Sequence, residues 1–217
     1  MENYQANTPN PKPLTEEVRN FYQRDFKNLF ISFFTDPING LRAFFSSPSE
    51  KAPMQAGILY ASVFVLYFAG SYVLVGDMRD YMNFSSFLSI GLSPVLIMLV
   101  ATTLSFLAKL VAGAGANFKS ELLTGALCGI PLGMLVPIAL VLRIFGMGNG
   151  LLSIVQNPVG SGSVFTIVML YLFLMMVNVF QQSLRAAGIR EVPAWYLSPL
   201  GILLSFYLGF TVAGNLL

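Results

Sequence analysis

Residues 113–143, GAGANFKSELLTGALCGIPLGMLVPIALVLR, decide how the rest of the chain is read. A glycine-rich, basic approach leads into an apolar core at residues 122–145, long enough at about 1.5 Å per residue to cross a bilayer. Gly125, Gly129 and Gly133 recur every fourth residue, and Pro131 and Pro137 interrupt the run. Small residues at that spacing let a second backbone approach closely, which is the main attraction between helices in lipid.

The remaining apolar segments are laid around this one. Met54–Val75 holds 22 residues, enough for a hydrocarbon core of roughly 30 Å. Residues 92–112, 164–184 and 195–217 supply three further spans. In the second of the five, the core is Pro94–Val111, and residues 84–93 are either its first turns or a surface segment broken by Pro94. Trp195 and Tyr196 anchor the last span at a headgroup layer. The expected fold is an all-α membrane protein of five transmembrane helices.

Before the first span, residues 1–14 form a polar, proline-punctuated tail. From Thr15, read as an N-cap, Val18, Phe21, Tyr22, Phe26, Leu29, Phe30 and Phe33 recur at helical spacing. That face suits the membrane interface, with docking on the bundle as the alternative. Asp36-Pro37 restarts a helix, and Ile38, Leu41, Phe44 and Phe45 share a face of the short amphipathic helix that follows. Ser47-Pro48-Ser49-Glu50 is a capping box announcing the next. Residues 15–53 are thus amphipathic juxtamembrane helices, and residues 54–217 are the transmembrane domain.

Composition agrees. Of 217 residues 55% are hydrophobic and only 10% charged, against about 25% charged in soluble domains. A net charge of +2 is too small to imply nucleic acid. Lone Cys128 excludes an intramolecular disulfide, and the first fifty residues show no cleavable signal peptide. Lys12, Arg19, Arg24, Lys27, Arg42, Lys51, Lys109, Lys119, Arg185 and Arg190 fall on one side of the five spans, with Arg79 and Arg143 on the other. This bias predicts a cytoplasmic N-terminus and a C-terminus across the membrane.

Candidate chemistry is sparse. The glycines of the third span, and Gly201, Ser205, Gly209 and Ala213 of the fifth, form two small-residue ridges. Their expected use is to pack the third span on the fifth, with homodimerisation through one ridge as the alternative. Pro131 and Pro137 free the carbonyls of Leu127 and Gly133, which packs a kink or opens a polar path. Asn178 and Gln182 lie four apart and suit interhelical hydrogen bonds, as do Gln181 and Arg185. Arg143 snorkels or meets a lipid phosphate, and Lys109 snorkels to the aqueous side.

Absences weigh more. Without histidine, the commonest metal ligand and general base is missing. No Asp or Glu occurs in residues 81–120 or 122–190, so an ion-coupled carrier lacks its usual carboxylate, and no intramembrane-protease set can be assembled. Gly146-Met-Gly-Asn-Gly150 follows a membrane helix rather than a strand and is no phosphate loop. No catalytic residue, cofactor or metal site is expected.

The order of features resembles the Yip family of Ypt/Rab-interacting membrane proteins in its compact bacterial form. The resemblance covers residues 36–217. It rests on Asp36-Pro37 before an aromatic-rich short helix (FFTDPINGLRAFF), the glycine-rich Gly113–Asn117, Phe118-Lys119, the apolar run to Pro131, and the five spans. It implies a five-helix bundle with a cytoplasmic N-terminal segment and no catalytic activity. The chain lacks the DLYGP motif and long N-terminal domain of eukaryotic members, so Rab binding does not follow. The expected function is a non-enzymatic protein organising partner proteins or lipids in a bacterial cytoplasmic membrane, as a homodimer or with other membrane proteins. The alternative is a small channel or transporter, its solute unnamed, with a polar path at Pro131, Pro137 and Asn178.

Overall fold

The computed structural model describes residues 14–46, 51–144 and 161–215. Helix α1 (Leu14–Asn20) runs through a π-helical segment (Phe21–Phe26) into α2 (Lys27–Thr35), and α3 (Asn39–Ser46) follows a turn. The long helices are α4 (Ala52–Leu74), α5 (Phe84–Val111), α6 (Phe118–Ile144), α7 (Ser161–Ala186) and α8 (Glu191–Asn215), with a 3-10 segment (Gly76–Tyr81) after α4. All five are long and apolar enough to cross a membrane, the fourth over Thr166–Ala186. This is the architecture of a multi-pass integral membrane protein.

The second span is one helix from Phe84, not from residue 92. Pro94 lies buried inside it without ending it, as neighbouring helices allow in a membrane bundle. Helix α1 begins at Leu14, so Thr15 sits in its first turn rather than capping it. Asp36 does cap α3, its Oδ1 accepting from the Asn39 N–H at 3.0 Å. The polar tail, the Ser47–Glu50 capping box and the Gly146–Gly150 run lie outside the described residues.

The two glycine ridges do not meet, which overturns the expected pairing of the third span with the fifth. Helix α5 lies between them, in contact with α4, α6, α7 and α8. On α6, a Cβ at Gly125 would collide with the Met98 carbonyl and the hydroxyls of Thr102 and Tyr60, and one at Gly129 with Met98 and Val63. Gly133 faces Val63 and Leu66 at ordinary contact distance. On α8, Gly201 takes the Phe180 ring of α7, and Gly209 would put its Cβ 3.1 Å from the Ile97 backbone of α5. Ser205 and Ala213 are buried along the same helix. The four-residue spacing carries no information about which helix fills each ridge.

Helices α1–α3 lie over one end of the bundle, here called the capped end. Phe21, at 2% exposure, packs against Ala56, Leu59 and Ala126, while Leu29, Phe33 and Leu41 are buried in the main core. The hydroxyls of Tyr22 and Ser62 are hydrogen-bonded, and Asn178 Nδ2 donates to the Pro37 carbonyl at 2.7 Å. Tyr22, Ile31, Phe34 and Ile38 remain exposed on the outer side.

Candidate functional site

The hairpin between α5 and α6 builds the most highly charged buried site among the described residues. Helix α5 ends in a Schellman motif. Gly113, at φ +70°, lets its own N–H reach the Leu110 carbonyl at 3.1 Å and the Ala114 N–H reach that of Lys109 at 2.9 Å. Asn117 then caps α6, its Oδ1 accepting from the Lys119 N–H at 3.0 Å. The short turn therefore sets the last turn of one helix beside the first turn of the next. It carries Lys109 and Glu121, each with the sign that suits its helix end.

Lys109 and Glu121 are each 5% exposed, with Nζ and Oε1 2.6 Å apart. Around them the hydroxyls close a circuit. Ser105 donates to Glu121 Oε2 at 2.8 Å, and Thr124 donates to the same oxygen at 3.3 Å. Lys109 also donates to Ser183 Oγ of α7 at 2.8 Å, and Ser183 and Thr124 are 2.7 Å apart. One direction of donation satisfies every contact: Lys109 to Ser183, Ser183 to Thr124, Thr124 to Glu121. A buried ion pair offsets its desolvation only when such extra hydrogen bonds complete it, and here they tie α5, α6 and α7 together.

Beside the pair lies a cavity of about 190 Å³, walled in part by Ser120, Glu121, Lys109 and Ser183 and by Phe45 of α3. Polar walls and that volume suit several waters, each occupying about 30 Å³ in the liquid. The Asn178–Pro37 hydrogen bond secures the chain just before α3, the helix that carries Phe45.

Lys109 thus pairs within the protein instead of snorkelling. The residues expected to form a polar path are not gathered. Pro131 borders an apolar groove with Leu135, Phe173 and Phe206, Pro137 is exposed, and Asn178 serves α3. Of that set only Asn178 and Gln182 bond to one another, at 3.2 Å. Gln182 Oε1 stays buried without a partner, for which nothing in the structure accounts. Arg143, at the far end, donates from Nη1 to the Val73 carbonyl at the C-terminus of α4. Between the prolines, the Tyr67 hydroxyl donates to the Leu132 carbonyl at 2.8 Å.

Glu121, Ser105, Thr124 and Ser183 were not singled out from the sequence. The available signal was Glu121 itself, the one acidic residue in residues 81–190, set twelve residues after a lysine across a glycine turn. No family model, curated protein or solved structure matches the chain.

Proposed function

We propose that this chain is a non-catalytic membrane protein that organises protein or lipid partners, with its capped end on the cytoplasmic side of a bacterial inner membrane. The observation that carries the reading is the closed Lys109–Glu121 circuit. Both charges are taken up by each other and by hydroxyls of three helices, an arrangement suited to holding a bundle rather than passing an ion. The ten-to-two distribution of basic residues supports the orientation. The resemblance of residues 36–217 to the Yip family supports the class of function, at the level of fold analogy.

Three measurements test it. Purified protein in liposomes should pass neither ions nor small solutes; flux lost on Asn178→Ala or Pro131→Ala would establish the channel or transporter reading instead. A reporter fused after Leu217 should be active only outside the cytoplasm, and cytoplasmic activity would reverse the topology. Crosslinking from native membranes should then recover discrete protein or lipid partners.

A further inference from the structure

A cleft of about 740 Å³ opens at the far end of the bundle, where the chain turns from α4 into α5. That volume lies within the range of ligand pockets, about 300–1,000 Å³. Phe68 and Tyr72 of α4 and Phe84 and Phe87 of α5 supply its aromatic walls, and Arg79 and Asp80 of the 3-10 segment supply its charges. The walls are braced. Phe68 meets the Phe84 ring edge-on at 5.9 Å and stacks on Phe64 at 5.9 Å, and Tyr72 meets Phe87 at 5.7 Å. Gly76, at φ +59°, starts the turn that brings Arg79 back over Tyr72, with Cζ 4.8 Å from the ring centroid.

Of the two arginines at this end, Arg143 is committed to the Val73 carbonyl. Arg79 is exposed, and its contact with Tyr72 uses only the face of the guanidinium. The five N–H donors lie in the plane, at the edges. Among the described residues none accepts from them, and the ion pairs lie elsewhere. Stacking therefore holds an unfilled donor fork in place, which lowers the cost of ordering it on binding.

Charge and walls differ in depth. Arg79 belongs to the segment joining two helices long enough to cross a membrane, so it lies at headgroup level. Phe68 precedes Leu74, the last residue of α4, by six positions, about 9 Å further into the hydrocarbon. A ligand that uses both needs an anionic head and an apolar tail. The planar fork matches the paired oxygens of a phosphate. Asp80, in the same cleft, opposes a second negative charge, which a phosphomonoester acquires near neutral pH and a phosphodiester does not.

We infer that this cleft binds a phosphodiester lipid, its phosphate on the Arg79 fork and the upper part of one acyl chain along Phe68, Tyr72 and Phe84. This rests on the partner-organising reading above and names a phospholipid as one such partner. The full-length protein in detergent would be offered equal amounts of phosphatidylglycerol, phosphatidic acid and diacylglycerol of matched chains, and bound lipid read by native mass spectrometry. Phosphatidylglycerol should be retained about tenfold over diacylglycerol, as expected for charge-assisted hydrogen bonds, and also above phosphatidic acid. Arg79→Gln should remove the preference over diacylglycerol without changing thermal unfolding, and Asp80→Asn should raise the retention of phosphatidic acid.

Equal retention of phosphatidylglycerol and diacylglycerol by the unaltered protein would overturn the site, with no variant needed. A preference that survives Arg79→Gln would overturn it as well. Glycerophosphoglycerol, the headgroup without chains, distinguishes the sources: displacement of the lipid at equal concentration would assign the cleft to a soluble phosphodiester instead. Liposome flux would sink the organising reading and leave the lipid preference standing, so the two failures are separable.

Discussion

Two polar clusters at the same end of the bundle are completed to different degrees. Around Lys109 and Glu121, both carboxylate oxygens accept, the ammonium has two protein partners, and the donors come from α5, α6 and α7. Around Gln55, one bond reaches Asp25 and the remaining oxygen has nothing. The difference follows from what surrounds each. The first cluster is enclosed where three packed helices present hydroxyls on facing sides. The second is covered by α2, whose buried contacts are Leu29 and Phe33 and whose polar side chains border open space. The closed cluster fixes helices, and the other leaves a buried acceptor unmet.

The largest effect is expected where the closed cluster is broken from one side. Glu121→Ala leaves a buried ammonium facing hydroxyls alone, and removal of one partner from a buried pair costs about 3–5 kcal/mol. Denaturant unfolding of the purified protein measures it. Lys109→Met with Glu121→Leu should recover most of the loss, because apolar residues of similar volume replace such pairs at little cost. A single-variant loss below about 1 kcal/mol would mean that water already reaches the pair. Ser183→Ala tests the closure itself. It strips an acceptor from Lys109 and a partner from Thr124, at about 1–3 kcal/mol. An unchanged stability would show that cavity water replaces the hydroxyl.

The difference between the clusters also explains what the sequence disclosed. Five spans were legible because 18-residue apolar windows are a property of local sequence. Asp36 as a cap was legible for the same reason, its partner Asn39 being three residues away. The start of the second span was legible only as two alternatives, because the hydrogen bond that Pro94 forgoes stops a helix in water but not inside a packed bundle. The pairing of the α6 and α8 ridges was not legible, since which helix enters a groove depends on five-body packing. The ion pair was missed for a different reason. Lys109 was taken alone as a snorkelling residue, although its partner lay twelve residues on, across a turn that Gly113 and Asn117 fold tightly. Ser183, 74 positions from Lys109, had no local signature at all.

The smallest expected effect separates the clusters most sharply, because its sign differs. Gln55→Met removes one hydrogen bond to the exposed Asp25, worth about 0.5–1.5 kcal/mol, and relieves an unpaired buried oxygen costing about 1–3 kcal/mol. In detergent the variant should be as stable as the unaltered protein or more so by about 1 kcal/mol. No substitution in the closed cluster shares that expectation, since each of its polar atoms is used. Thermal unfolding of both proteins in the same detergent reads the sign directly. If Gln55→Met is destabilised, the oxygen is already satisfied within the protein, and the second cluster is as closed as the first.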